Sequence, residues 1–520
     1  MADLILLGGA VLTMQPEMPQ TEAIALRGDR ILAVGSEAEV RIFASSDAEC
    51  LELDGQAVLP GFHDSHVHLA QHGFELTQVN LADAATKDEA LAKIAAKAQA
   101  TPKGEWILGA GFLMSRWGVR ALHKGELDAV APEHPVLLRS QDHHSAWVNT
   151  CALERSGVTA TTPVQDGEIV LDDAGEPSGL LLERALHLIA DCVPAPTRAQ
   201  IESAVLAAGR DLAAYGITTV HHMDYEPASY FREIALAASR TDYPVRVWAC
   251  IPQEDAEMAA KLGIATGQGG EHFQIGGAKF FADGALGSLT AHMLAPYDGY
   301  DTTGAEVHGK TVLLERLPTV IAAGLVPVIH AIGDAANRAA LDALEATRHL
   351  WQPLGMRPRI EHVQHLNPAD AARFAKLGIT ASMQPVHLRF DAPRISELLS
   401  SRQDEAHSWR RLLGAGARIA LGSDTPVATP DVLLGIHTAL TREDETGRVH
   451  TPAQAMTMPE ILAGYTRNAA YAIGWEERSG QLKAGFDADL VVFNHNPLEN
   501  PSDLQINATM KAGRWTFQRK

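Results

Sequence analysis

Cysteine is scarce. The 520 residues contain four, Cys50, Cys151, Cys192 and Cys250, with neither paired nor metal-type spacing. This argues against a disulfide framework and suits a reducing compartment. Basic charge is also short, 43 Lys and Arg against 64 Asp and Glu, for a net charge of −21. Such a surface repels nucleic acid and anionic membrane, so neither is expected as a partner. No apolar run approaches the roughly 18 residues of a membrane helix. Met1-Ala-Asp-Leu-Ile-Leu-Leu-Gly-Gly9 lacks the basic region of a signal peptide. A cytoplasmic protein is expected. Glycine-rich dinucleotide or phosphate-binding turns, heptads and a solenoid period are missing as well.

What is present is length for a large domain plus a smaller one, with an ordinary hydrophobic share of 46%. Residues 1–57 read as short strands, with a hairpin signal at Gly28-Asp29 between Ile24-Ala-Leu-Arg27 and Arg30-Ile-Leu-Ala-Val34. Residues 474–520 look alike, with a turn at Ala512-Gly513. Together the two ends are expected to form one small β-sandwich. Residues 58–473 are expected to hold the main domain, with an inserted lobe over about 72–200 that opens on a capping box at Thr86-Lys-Asp-Glu89.

Beyond residue 200 the rhythm is regular. Short apolar or β-branched runs end at His222, Ala249, Phe281, His330, His362, Gln384 and Asp424, with helical segments between several of them. One such helix starts at Asn367-Pro368 and stops at Gly378. Runs of this kind fit strands buried on both faces of a parallel sheet. With the run before His68 they make eight β/α units. His330 and His362 are 32 residues apart, and His362 and Asp424 are 62 apart, or two units. The fold class expected is α/β, a (β/α)8 TIM-like barrel. A doubly wound open sheet is the alternative.

In such barrels the chemistry sits at the C-terminal ends of the strands. His66 and His68, two apart in an extended strand, share a face and can hold one metal ion. Lys279 lies on the fourth strand, His330 ends the fifth, His362 the sixth, and Asp424 the eighth. Each has a plainer reading alone: a hydrogen-bonded core histidine, a turn or cap aspartate, a lysine that reaches the surface. Jointly they are hard to explain as packing, because burying them without a partner is costly. Four imidazoles plus carboxylates suit zinc or another first-row divalent ion, one or two in number.

These stretches resemble the amidohydrolase superfamily of metal-dependent hydrolases, and within it the amidohydrolase-3 group, which includes N-substituted formamide deformylases. The resemblance is carried by Leu59-Pro-Gly-Phe-His-Asp-Ser-His-Val-His68, Lys279-Phe-Phe-Ala-Asp-Gly-Ala-Leu-Gly-Ser288 and His330-Ala-Ile-Gly-Asp334. Ile360-Glu-His-Val-Gln-His365, Leu421-Gly-Ser-Asp-Thr-Pro426, His144-Ser-Ala-Trp-Val-Asn149 and Ala484-Gly-Phe-Asp-Ala-Asp-Leu490 complete it. Phe112 departs from it, standing where a Trp would be expected. The resemblance implies that His66, His68 and Asp424 bind a first metal and His330 and His362 a second. It also implies that Lys279, carboxylated by carbon dioxide, bridges the two.

The reaction expected is hydrolysis of an amide or related C–N bond of a small molecule by metal-activated hydroxide. Asp424 would take the proton and pass it to the leaving nitrogen. Trp117, His144, Gln384, His387 and Arg389 are candidate substrate contacts, and Glu183 is unassigned. Alternatives are a deaminase or cyclic-amide hydrolase, a lactone or ester hydrolase, and a metal-binding homologue without turnover. The sequence names neither the substrate nor an oligomer, so a homo-oligomer stays open.

Overall fold

Eight short runs form one parallel sheet in the computed structural model, which describes residues 1–119, 121–140, 144–165, 167–223 and 228–520. They are β1 (Phe62–Val67), β2 (Ile217–His222), β3 (Arg246–Pro252), β4 (Phe273–Phe281), β5 (Val326–Ala331), β6 (Arg359–His362), β7 (Thr380–Met383) and β8 (Arg418–Leu421), neighbours in that order. Every adjacent pair from β1 to β8 is parallel. The sheet then curls until its two edges nearly meet. Val67 bridges Thr425 in parallel, the His68 N–H donates to the Thr425 carbonyl at 2.8 Å, and the Asp424 N–H donates to the His66 carbonyl at 2.7 Å. The chain is thus an α/β barrel, as the β/α rhythm predicts.

Most barrel-strand residues are buried, which is why these runs read as continuous rather than alternating. The helix expected at Asn367-Pro368 begins as one tight turn, Pro368–Asp370, and continues as Ala371–Leu377. It ends at Gly378, whose φ of +74° suits a residue without a side chain. Gly422 serves the closing seam differently. A Cβ there would stand 2.6 Å from Asp64 Oδ1 and 2.8 Å from the His66 nitrogen, so only glycine lets the first and last strands approach. Asp64 then clasps the seam, accepting the Ser423 N–H at 2.8 Å and the Ser423 hydroxyl at 2.5 Å.

The chain divides into two compact units, Met1–Leu69 with Ala208–Lys520, and Ala70–Ala207. In the first, segments from both ends share a six-stranded sheet, ordered Arg514–Gln518, Ile506–Lys511, Leu490–Phe493, Ala57–Pro60, Ala10–Leu12, Gln20–Thr21. A four-stranded sheet of Arg30–Gly35, Ala23–Arg27, Ala2–Leu7 and Ala44–Glu52 accompanies it. One apolar cluster takes Leu6, Ile24 and Ile31 from the smaller sheet and Val58, Val492 and Met510 from the larger. Both hairpins form where the sequence predicts turns, closing on Arg27 opposite Arg30 and on Lys511 opposite Arg514. The strand reading of residues 1–57 misses one helix, Glu37–Arg41. It is opened by a capping box in which Ser36 and Glu39 bond each other's backbone.

The second unit is built on a mixed six-stranded sheet, Gly167–Leu171, Pro177–Glu183, Ser145–Val148, Val136–Ser140, Ile107–Phe112, Val79–Asn80. Both faces are covered. Trp147 packs into one apolar cluster while Ala146 and Val148 pack into the other, and Val136 and Leu138 alternate with Leu137 in the same way. The helix expected at Thr86 runs Lys87–Ala100. Only half of its capping box forms: Thr86 accepts the Glu89 N–H, while the Glu89 carboxylate takes the Ala85 N–H instead. Among the described residues no helix is long and apolar enough to cross a membrane.

Candidate metal centre

The end of β1 brings His66 and His68 together, their ring centroids 5.4 Å apart. Across the seam Asp424 lies three residues past the end of β8, with Oδ1 3.3 Å from His66 Nε2 and 3.2 Å from His68 Nε2. His362 comes from β6, its ring 4.8 Å from that of His66, and His330 from β5, its ring 4.5 Å from that of His362. Lys279 comes from β4, with Nζ 3.5 Å from His66 Nε2. One potential ligand atom each of His66, His362 and Asp424 fall within 4.8 Å of one another. The structure therefore gathers His66, His68, Lys279, His330, His362 and Asp424 at one end of the barrel.

Two of these residues hold backbone angles that side chains disfavour. φ is +73° at His362 and +66° at Asp424. Angles of this kind cost on the order of 1–3 kcal/mol each and persist where the surroundings impose them. At His362 the effect is visible. Glu361 and His362 are consecutive, and a regular strand would point them to opposite faces; instead both side chains meet His66.

The imidazoles are oriented by neighbours. His66 Nδ1 donates to Glu361 Oε2 at 2.8 Å, which leaves Nε2 with its lone pair toward Asp424. His362 Nδ1 lies 2.9 Å from Gln384 Oε1, so Nε2 is the nitrogen it can offer. His330 Nε2 lies 3.1 Å from the Gly284 carbonyl, which leaves Nδ1. Burial, together with the Lys279 charge, holds His66 well below its ordinary pKa, and burial does the same for His362. Burial also lowers Lys279, although Glu361 and Asp424 pull it the other way. Burial pushes the Asp424 carboxyl up. The surrounding imidazoles of His66, His68 and His362 outweigh it and hold the carboxyl well below the usual range. Neutral imidazoles around an ionised carboxylate are the donor set a divalent cation requires. The fit shows in one atom: Asp424 Oδ1 is buried and accepts no well-directed hydrogen bond among the described residues.

Beneath the centre lies a network that the sequence reading passes over. Arg359 and Glu361 are completely buried. The Arg359 guanidinium donates to Glu361 Oε1 at 2.5 Å, Ser65 O at 2.6 Å, Ser382 Oγ at 2.7 Å and His221 Nδ1 at 2.8 Å. His221 Nε2 lies 3.4 Å from His63 Nδ1, and His63 Nε2 lies 2.8 Å from Ser479 Oγ. The available signal was two charged residues inside a four-residue strand that should be apolar.

Burial drives His63 and His365 down to about 3 from an ordinary 6.5. Between those values an unfolded chain binds protons that the native state refuses. Stability that is intact above 6.5 is therefore lost as pH falls. Stability is expected to fall between about pH 6.5 and about pH 5 by roughly 1 kcal/mol per unit for each group, and the thermal midpoint with it. A midpoint level across that interval would contradict this.

The expected substrate contacts are placed as follows. Gln384 abuts His362, and His387 Nε2 lies 3.7 Å from Asp424 Oδ2. Arg389 is half-buried on the helix Leu388–Leu398. In the second unit Trp117 donates its indole N–H to the Ala84 carbonyl at 3.0 Å and stacks on Phe112 with centroids 6.0 Å apart, as part of that unit's core. His144 Nδ1 lies 3.0 Å from Glu183 Oε2, both exposed, which gives Glu183 a partner. The helix Thr150–Ser156 that follows is capped by Asn149.

Comparison with known proteins agrees with this architecture. A family model described as "Amidohydrolase family" matches residues 49–517. The chain is 31% identical to the protein of Bacillus subtilis (strain 168) that bears the amidohydrolase name YtcJ, covering 98% of this chain and 99% of that one. It is 29% identical to the N-substituted formamide deformylase of Arthrobacter pascens, covering 100% of this chain and 99% of that one. Among solved structures it resembles an uncharacterized metal-dependent hydrolase from Pyrococcus horikoshii OT3 at 25% identity and a TM-score of 0.79, over 95% of this chain and 98% of that one.

Proposed function

This chain belongs to the amidohydrolase family, and from that premise we propose that it hydrolyses an amide or related C–N bond of N-acyl, N-formyl or aryl-amide type in a small molecule. The observation that carries the reading is the buried meeting of His66, His362 and Asp424 within 4.8 Å, with His68, Lys279 and His330 around it. His66, His68 and Asp424 would hold one divalent ion, zinc by the chemistry of the donors, and His330 and His362 a second. Lys279, whose burial favours the free amine, would add carbon dioxide at Nζ with release of a proton and present the resulting carboxylate to both. A divalent ion bound there supplies Lewis acidity, polarising a carbonyl and making water nucleophilic near neutral pH.

The protein's own groups do the rest. Asp424, held ionised, faces Nε2 of both His66 and His68, and it accepts the proton of the attacking water. It then returns that proton to the leaving nitrogen, which must be protonated to depart. Glu361 keeps the His66 ring from turning, and Gln384 does so for His362. Gln384, His387 and Arg389 would read a polar group of the substrate.

Elemental analysis of the purified protein, with a panel of N-formyl, N-acyl and aryl amides, tests the proposal. Stoichiometric divalent metal is expected, with amide hydrolysis that a chelator abolishes and zinc restores. The Lys279→Ala protein is expected to bind less metal. A metal-free protein whose turnover ignores chelators would end this account.

A further inference from the structure

Past β7 the chain carries a run of polar groups that the metal centre itself does not use. His387 closes the tight turn Pro385–His387, Asp391 follows on the helix Leu388–Leu398, and Gln364 lies just beyond β6. The Gln364 side-chain nitrogen is 2.9 Å from Asp391 Oδ2 and 3.1 Å from His387 Nδ1.

These two bonds settle three assignments in turn. Burial pushes Asp391 up to about 6, so above that pH its carboxylate is ionised and only accepts, and the end of the Gln364 amide that faces it is the NH2. An NH2 group only donates, so His387 Nδ1 is the accepting, unprotonated nitrogen. A doubly protonated imidazole would set two donors against each other there. The single ring proton of His387 therefore sits on Nε2. His387 is 4% exposed, and its Nε2 has no hydrogen-bond partner among the described residues. It lies 3.7 Å from Asp424 Oδ2, too far for a hydrogen bond but at the edge of the reacting centre. The ring is stacked parallel to His362, with centroids 6.2 Å apart and planes 16° apart, and rests against Phe390 at 5.2 Å, which limits its swing.

We propose that His387 is a catalytic residue whose Nε2–H donates to the acyl oxygen of the substrate as that oxygen gains negative charge. The proposal rests on the reading that this centre hydrolyses an amide. A nitrogen that already bears its proton cannot act as base toward water. The amide nitrogen is a poor acceptor, because its lone pair is shared with the carbonyl. The acyl oxygen is the strong acceptor, and it becomes stronger on the way to the tetrahedral state. A buried, unpaired donor held at the edge of the centre stabilises such charge with little reorganisation. Gln364 and Asp391 are positioning residues: the carboxylate fixes the amide, and the amide fixes the ring.

Long-range proton–nitrogen NMR of the metal-loaded protein, with His387 assigned by its loss in His387→Ala, is expected to show the Nε2–H form. Gln364→Leu, which removes the lock, is expected to mix the two forms. On an amide that the wild type cleaves, His387→Ala is expected to lose about 10²-fold in kcat or more at unchanged metal content, with KM moving less than about threefold. His387→Gln, which retains an N–H donor, is expected to recover part of the loss. A dominant Nδ1–H form in the wild type overturns the proposal, and so does a His387→Ala kcat within about threefold of wild type. A wild type that cleaves no amide overturns the hydrolase reading, and this inference falls with it; the other two outcomes overturn the inference alone.

Discussion

Asp424→Asn is expected to lower kcat by about 10³-fold, within the range for removing a general acid–base group, while metal content stays close to that of the wild type. Asparagine has nearly the same volume and keeps one oxygen toward the imidazoles, so the fold at the seam has no reason to change. The Asp424 N–H still donates to the His66 carbonyl, and its carbonyl still accepts the Val427 N–H at 2.8 Å. What disappears is the capacity to take up a proton and release it. The loss should appear in kcat rather than KM, because both proton transfers belong to the chemical steps. Elemental analysis beside steady-state kinetics checks this. An Asp424→Asn protein with its metal and its full turnover would remove Asp424 from the mechanism.

Arg359→Met is expected to destabilise the protein by about 3–5 kcal/mol, the usual cost of breaking a buried ion pair from one side. Arg359 and Glu361 are wholly buried, so the Glu361 carboxylate left behind would keep only His66 as a partner among the bonds described above. Ser65 O, Ser382 Oγ and His221 Nδ1 would each lose a donor as well. The doubly substituted Arg359→Met, Glu361→Met protein separates two effects. With no uncompensated charge inside, most of the stability should return. Metal affinity should not, because His66 Nδ1 would have lost the acceptor that fixes its ring, and loss of such a partner weakens binding by about 10–100-fold. Thermal midpoints at one fixed scan rate, with chelator competition on each variant, read both quantities. Equal affinity in the double variant and the wild type would show that Glu361 does not orient His66.

Much of this could be read from the sequence, for a physical reason. A parallel barrel demands apolar strands at regular spacing, and His66, His330 and His362 interrupt that pattern at the ends where a barrel places its chemistry. Asp424 was legible as part of the last strand's sequence, although it lies three residues beyond the strand, in a turn whose φ no apolar pattern reveals. The network below the centre was illegible because it is not periodic. Arg359, His221, His63 and Ser479 come from three strands and a distant loop, and no local rule pairs them. Gln364 was within a motif already singled out and His387 among the candidate substrate contacts, but the lock between them needs distances to be seen. Trp117 shows the opposite case. An indole near a strand end suggests a pocket, whereas its ring and N–H are spent on Phe112 and Ala84.

The clasp between Asp64 and Ser423 joins positions 359 residues apart. Synthesis proceeds from the N-terminus, with segments folding as they emerge. The ribosome therefore releases the His66–His68 pair long before Asp424, the aspartate that faces them, exists. For most of translation the nascent chain carries two accessible imidazoles and no finished pocket. A divalent ion held by His66, His68 and Asp424, as proposed above, would thus bind only after the eighth strand has docked, and free metal supplied earlier would meet an open pair rather than a selective cavity.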